Sequence, residues 1–76
     1  MEELIEILKD IDSEVDYENC TTLIDEGYLD SLAIISLVAE IEETFDVQIP
    51  TVEIIPDNFN SAKAIWDLIN RLQEEE

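Results

Sequence analysis

Residues 29–50 read LDSLAIISLVAEIEETFDVQIP, and this stretch decides the fold. Its apolar residues recur at the spacing of a helix, which predicts a helix from Ser31 to Phe45. Pro50 closes the segment, because proline disfavours a helical conformation at the residue before it. We assign one apolar stripe of this helix to the core: Ile34, Leu37, Val38, Ile41 and Phe45.

Helices are also predicted on both sides of this segment. The first is short and amphipathic, with acids between its apolar residues Leu4, Ile5, Leu8 and Ile11. Asn60 is a preferred N-cap residue and predicts a last helix from Ser61 to about Gln73. Its predicted buried face consists of Ile65, Leu68, Ile69 and Leu72. A short helical turn is expected at Thr51 to Ile55, before Pro56.

The segment between the first two helices, residues 12–30, has no helical periodicity. A loop of this length in a compact domain is usually functional or is held by its own side chains. Gly27 can adopt a positive φ just before the second helix. The expected anchors of the loop are Val15, Tyr17, Leu23, Ile24 and Tyr28. We therefore predict one all-α domain over residues 1–76, a bundle of three main helices plus one short helix with a long first loop.

The composition restricts the possible partners. The chain has 21 acidic and 3 basic residues, a formal net charge of -18, which repels nucleic acid and anionic membranes and attracts basic partners. Cys20 is the only cysteine, which excludes an internal disulfide and fits a reducing cytoplasm. The acidic start MEELIEILKD resembles no signal or transit peptide, and no apolar run is long enough to span a membrane. We expect a cytoplasmic monomer that does not insert into membranes.

Most catalytic chemistry is missing from the sequence. The chain has no histidine, the commonest general base and metal ligand, so a Ser-His-Asp triad is impossible. It also lacks the glycine patterns of nucleotide-binding loops and the ligand spacing of an EF-hand. With so many acids on a small surface, most carboxylates are simply solvated. We predict no catalytic residues, no metal site and no enzyme activity.

Ser31 stands where the long loop meets the second helix. Serine and aspartate are both preferred at helix starts, so Ser31 could be the cap. Asp30 could equally cap the helix, which would leave the Ser31 hydroxyl free. A phosphate attached there would be favoured by the helix N-terminal amides and dipole. The local pattern leaves both interpretations open.

Leu32, Ile35 and Ala39 form a second apolar strip on the same helix. At about 100° of rotation per residue, positions i, i+3 and i+7 share one face, and this face lies opposite the core stripe. Either Leu23 or Tyr28 of the loop packs over it, or it is a docking patch beside Ser31. As a docking patch, it would suit a partner with a basic edge. The acidic rim would then be formed by Glu40, Glu42, Glu43 and Asp46.

The stretch LDSLAIISLVAEIEETFDVQIP resembles the signature of acyl carrier proteins, including their D-alanyl and peptidyl relatives. The matching residues are Asp30-Ser31-Leu32 at the start of the second helix, the apolar stripe through Ile41, Glu42-Glu43, Phe45 and Ile49-Pro50. The resemblance extends to length, acidity, the long first loop and the last helix. It implies that Ser31 is the attachment site of 4'-phosphopantetheine, transferred from coenzyme A by a phosphopantetheinyl transferase, with Asp30 in a supporting role. It also implies that the cofactor thiol carries acyl or aminoacyl groups as thioesters between loading and transfer enzymes, which dock on the second helix.

The positions just after the serine differ from the fatty-acid type of this family. That type tends to carry acids where this chain has Ala33 and Ser36. Recognition near Ser31 should therefore depend more on apolar contact than on ion pairs. This favours a specialised carrier, for D-alanine or in a secondary-metabolite pathway. The alternatives are a housekeeping carrier of fatty-acid synthesis and an acidic interaction module without a cofactor.

Overall fold

The computed structural model describes residues 2–75, and every regular element in that range is helical. Helix α1 spans Glu2–Ile11 and α2 spans Ser31–Phe45. A 3₁₀ turn at Thr51–Glu53 and the four-residue helix α3, Pro56–Phe59, lead to α4, Ala62–Glu75. The predicted all-α bundle with three main helices is confirmed. The expected domain limits at residues 1 and 76 lie outside the described residues.

The three long helices share one apolar core. Helix α1 packs against α2 and α4, and α3 packs against α4. The predicted α4 face is confirmed, since all four of its residues are buried. Helix α1 differs slightly from its predicted apolar face, because Ile7 is buried whereas Ile5 and Ile11 are only half-buried. The core side chains with no exposure at all are Leu4, Leu8, Leu23, Leu37, Ile41, Phe59, Ala62, Ile65 and Ile69.

Helix α2 begins and ends at the predicted residues. Leu37 and Ile41 are fully buried, and the other three members of the predicted stripe are half-buried. The helix stops at Asp46, which adopts a left-handed conformation with φ 54°. Aspartate tolerates this region better than most residues, because its short side chain can hydrogen-bond locally. Gln73 Nε2 of α4 donates to the free carbonyl of Phe45 at 3.3 Å, which ties the end of α2 to α4.

The short helix lies later in the chain than predicted. The turn expected at Thr51 to Ile55 forms only its 3₁₀ part, and the backbone at Ile55 is extended, with φ -127° and ψ 156°. Pro56 explains both facts. It forces Ile55 out of the helical region, and its own fixed φ suits the first position of the new helix, α3.

The predicted N-cap of the last helix is wrong by one residue. Ser61 is the cap, since its Oγ accepts a hydrogen bond from Ala64 N at 3.0 Å and α4 begins at Ala62. The Asn60 side chain points to the long loop instead, where its Oδ1 accepts from Ile24 N and Asp25 N. Asn60 therefore connects two distant parts of the chain.

The long loop is anchored largely as predicted. Val15, Tyr17 and Leu23 are buried and Ile24 is half-buried. The prediction for Tyr28 is wrong, because Tyr28 is 45% exposed. Its neighbour Leu29, at 2% exposure, is the anchor. Gly27 has the expected positive φ, 79°. Because Leu29 is the anchor in place of Tyr28, a buried leucine lies directly before Asp30 and Ser31.

Tyr17 provides a pH-dependent test of the loop anchor. Its hydroxyl donates to Asp12 O at 2.7 Å. Burial, together with the charges of Asp12 and Cys20, raises the pKa of Tyr17 above its usual value. A raised folded-state pKa means that the stabilisation is complete below the unfolded pKa and is lost as the pH rises through the folded pKa. We expect the free energy of unfolding to fall more steeply in the wild type than in Tyr17→Phe as the pH rises above about 10, the pKa of an unfolded tyrosine. Urea unfolding at each pH measures this, and parallel curves for the two proteins would contradict it.

The charge distribution makes stability depend on salt. Among the residues described, Lys63 pairs with Asp67 at 3.0 Å and Arg71 pairs with Glu53 at 2.8 Å. The sequence nevertheless has 18 more acidic than basic residues, and these negative charges repel one another. Screening of this repulsion should raise the melting temperature by a few degrees, about 4–8 °C per kcal/mol, between low and moderate salt. Thermal melts at the two salt concentrations measure the shift, and equal melting temperatures would contradict the expectation.

Candidate functional site at the start of helix α2

Asp30, not Ser31, caps helix α2. The Asp30 backbone is extended, and its Oδ1 accepts a hydrogen bond from Ala33 N at 2.8 Å. Ser31 is the first helical residue and is exposed. Within residues 2–75 its hydroxyl has no hydrogen-bond partner, so of the two interpretations of the sequence the structure supports the free hydroxyl.

Leu29 holds the residues before the site in place. Its side chain is buried, and its amide donates to the carbonyl of Leu23 at 2.9 Å. Sequence reasoning missed Leu29, although a signal was present. With Asp30 as the cap, Leu29 and Ile34 occupy the two positions of a hydrophobic staple, which fixes the angle at which the chain enters a helix. The chain therefore reaches Ser31 from a buried anchor one residue before the cap.

The apolar strip of α2 lies open to solvent. Leu32 is 77% exposed and Ile35 66%, and Ala39 is also exposed. The alternative that a loop side chain covers this strip is wrong. Leu23 is fully buried in the core, and Tyr28 does not cover Leu32 or Ile35, which remain exposed. The strip therefore lies next to Ser31 and runs along the same helix.

The acidic residues around the strip differ from one another. Glu40, Glu43 and Asp46 are exposed. Glu42 is half-buried, and its Oε2 accepts a hydrogen bond from Ile49 N at 3.0 Å. Glu42 thus helps to hold the segment after α2, a role that counting acids in the sequence could not reveal.

A shallow cleft of ≈ 410 Å³ separates the first half of α2 from α1. Ala33 and Ser36, the two positions that lack acids, are among its lining residues, together with Ile7, Asp10, Ile11, Leu32 and Glu40. The first turn of α2 carries no acidic residue. Asp30 is therefore the one acidic residue next to Ser31 in the chain, whereas Asp10 and Glu40 lie elsewhere along the cleft.

These features fit a phosphate-linked group on Ser31. The hydroxyl is exposed and unengaged, and it lies at the N-terminus of a 15-residue helix, where backbone amides and the dipole favour negative charge. No acid of the first turn opposes that charge, and the one adjacent carboxylate, Asp30, already accepts the Ala33 amide.

Residues 2–75 contain no group of three or more side chains placed to hold a metal ion. None of the helices described is long and apolar enough to cross a membrane.

Comparison with known proteins places the sequence among relatives. A family model described as "Phosphopantetheine attachment site" matches residues 2–69, which include the long loop and α2. A D-alanyl carrier protein of Streptococcus sanguinis is 33% identical over 72 residues, covering 93% of this chain and 91% of that protein. One of Streptococcus mutans is 36% identical over 73 residues, covering 90% and 91%. A third, of Lactobacillus delbrueckii, is 30% identical over 54 residues, covering 71% and 68%.

Proposed function

This chain belongs to the phosphopantetheine-dependent carrier proteins, and we propose that it carries D-alanyl groups on an arm attached to Ser31. Its cofactor is a covalently attached 4'-phosphopantetheine, whose thiol holds acyl or aminoacyl groups as thioesters. Proteins of this family carry substrates and interact with a phosphopantetheinyl transferase and with acyl-transfer enzymes. We assign no catalytic role to the chain itself.

The assignment of Ser31 rests on the observation that Asp30, and not Ser31, caps helix α2. The Ser31 hydroxyl therefore remains available at a helix N-terminus, where the backbone favours a phosphate. The other three serines are less suitable. Ser61 Oγ is engaged as a cap, Ser13 lies in the loop after α1, and Ser36 lies inside α2.

The Ser31 hydroxyl is the only group of this chain that reacts in the attachment step. The Ser31 oxygen forms a bond to the phosphorus that carries the pantetheine in coenzyme A. The pyrophosphate bond breaks, the nucleotide part leaves, and the hydroxyl proton passes to a base of the transferase. Asp30 supports the step by holding the first turn of α2, and its carboxylate would help to hold the magnesium ion that the transferase uses.

The D-alanyl cargo is proposed from the named relatives and from the uncharged residues Ala33 and Ser36 close after Ser31. Two relatives that match nine-tenths or more of this chain are named D-alanyl carrier proteins. Ala33 and Ser36 lack the acids of the fatty-acid type, and both line the α1–α2 cleft. A role in fatty-acid synthesis is therefore not favoured.

The strip formed by Leu32, Ile35 and Ala39 is the proposed docking surface for partner enzymes. Its exposure makes it available, and a partner that buries it gains apolar contact beside the modified serine. Glu40 and Glu43 at the end of the strip suit a basic edge on that partner, and Glu42 contributes through its charge while bonded to Ile49. We further propose a cytoplasmic, monomeric carrier with one domain over residues 1–76, in which Cys20 stays reduced.

The test proceeds in two stages. Incubation with coenzyme A, Mg²⁺ and a broad-specificity phosphopantetheinyl transferase should add one phosphopantetheine, detected by intact mass. The modified protein is then offered D-alanine, L-alanine or octanoate, each with an ATP-dependent ligase that activates it. We expect a D-alanyl thioester. Octanoyl loading without D-alanyl loading would favour the fatty-acid alternative, and the absence of any adduct would favour the acidic interaction module.

A further inference from the structure

Asn60 joins the α3–α4 junction to the loop that precedes Ser31. Its side-chain Oδ1 accepts hydrogen bonds from Ile24 N at 2.9 Å and from Asp25 N at 3.1 Å. Its backbone carbonyl accepts from Leu23 N at 2.9 Å. Its Nδ2 donates to Asp25 Oδ2 at 3.4 Å. One residue thus satisfies three consecutive loop amides from 35 or more positions away in the sequence.

The loop segment bound by Asn60 leads directly to Ser31. Leu23 O accepts from Leu29 N at 2.9 Å, which closes residues 23–29 into a turn. Gly27, at φ 79°, allows the chain to reverse within this turn. Both leucines are buried, so the two ends of the turn are fixed in the core. Ser31 follows two residues after the second end.

We propose that Asn60 is a positioning residue for the modification of Ser31. By fixing the turn at residues 23–29, it sets the path of the chain into Asp30 and the orientation of the first turn of α2 before a transferase binds. This inference rests on the proposed attachment at Ser31. Asn60 touches neither the hydroxyl nor the apolar strip, and it acts through Leu23 and Leu29.

The expected effect of losing this contact lies in the chemical step. Asn60→Ala leaves the amides of Ile24 and Asp25 without their acceptor and lets the turn move, while the backbone carbonyl of residue 60 can still accept from Leu23 N. The strip on α2 is unchanged, so the affinity of the transferase for the protein, measured as KM, should change less than twofold. A misplaced nucleophile costs rate even when binding is intact, and we expect kcat for modification to fall about tenfold.

A second variant, Asn60→Asp, can be rescued by a change that restores the net charge. Combining Asn60→Asp with Asp25→Asn moves one carboxylate from position 25 to position 60. The carboxylate at position 60 can still accept from both loop amides, and the new amide at position 25 can donate to it. Asn60→Asp alone would set two carboxylates at the 3.4 Å distance of the present contact, and like charges at that distance repel. The double variant should therefore return kcat to within about twofold of the wild type, and the single one should not.

Asn58→Ala is the matched control. Asn58 belongs to α3, and its Nδ2 donates to Glu53 O at 2.8 Å, so its loss removes a side-chain hydrogen bond from the same region without touching the loop. We expect Asn58→Ala to modify at the wild-type rate. Hydrogen exchange at the amides of residues 23–29 should accelerate in Asn60→Ala and return toward wild type in the double variant.

The experiment measures kcat and KM for modification of the wild type, Asn60→Ala, Asn60→Asp, the double variant and Asn58→Ala. A wild-type kcat in Asn60→Ala, an equal fall in Asn58→Ala, or no recovery in the double variant relative to Asn60→Asp would overturn the positioning role. If Asn60→Ala does not fold, the comparison of Asn60→Asp with the double variant decides. A wild-type chain that takes no adduct, or whose adduct persists in Ser31→Ala, would instead overturn the proposed function.

Discussion

Ser31→Ala should abolish the phosphopantetheine adduct and leave the free energy of unfolding almost unchanged. The adduct requires the hydroxyl, and no neighbouring group can replace it as the attached oxygen. Stability should change by less than about 0.5 kcal/mol, because Ser31 is exposed and Asp30 supplies the cap. Intact mass after incubation with coenzyme A and transferase measures the first effect, and urea unfolding measures the second.

Ser36→Ala is the matched control for this experiment. Ser36 is an exposed serine on the same helix and also lines the α1–α2 cleft. Its replacement should leave the adduct intact. An adduct that persists in Ser31→Ala, or that disappears in Ser36→Ala, is the outcome that our assignment cannot accommodate.

Ile35→Glu should lower the loading of the modified protein about 30-fold while the fold remains intact. The side chain is 66% exposed, so a carboxylate at this position stays in water in the free protein. When a partner covers the strip, the charge must be desolvated against an apolar surface. A residue that dominates an interface typically contributes about 2 kcal/mol to the free energy of binding. Loss of that amount corresponds to a factor of about 30. The measurement is kcat/KM of the loading ligase with the modified carrier as the varied substrate.

Thr44→Glu separates this effect from simple charge repulsion. Thr44 is exposed in the last turn of α2 and lies about 180° around the helix from Ile35. A glutamate at position 44 adds the same charge to the same helix but lies outside the strip. Loading should therefore fall by less than about threefold. Equal losses in both variants would mean that charge alone matters. Unfolding of Ile35→Glu would show that Ile35 belongs to the core.

The sequence predicted α2 and its exposed strip well because both depend on local signals. Gly27 and the cap mark where the helix begins, Pro50 limits it, and the periodicity of about 100° per residue separates the buried stripe from the strip. The choice between Asp30 and Ser31 as the cap could not be made from the pattern, because both residue types suit that position. The hydrogen bond from Ala33 N to Asp30 decides it.

The parts that could not be predicted depend on contacts between distant residues. Asn60 looked like a helix cap, and only the folded chain brings the amides of Ile24 and Asp25 to its side chain. Tyr28 and Leu29 are adjacent and both apolar, so the turn at Gly27 determines which of them points inward. Glu42 is one acid among 21, and its bond to Ile49 leaves no signature in the composition.

Fragmentation mass spectrometry of the wild-type chain tests the central claim most directly. After incubation with coenzyme A, Mg²⁺ and the transferase, it assigns the added phosphopantetheine to one side chain without altering the protein. We predict that every modified molecule carries the adduct on Ser31. An adduct on Ser13, Ser36 or Ser61, with Ser31 left unmodified, would contradict the assignment.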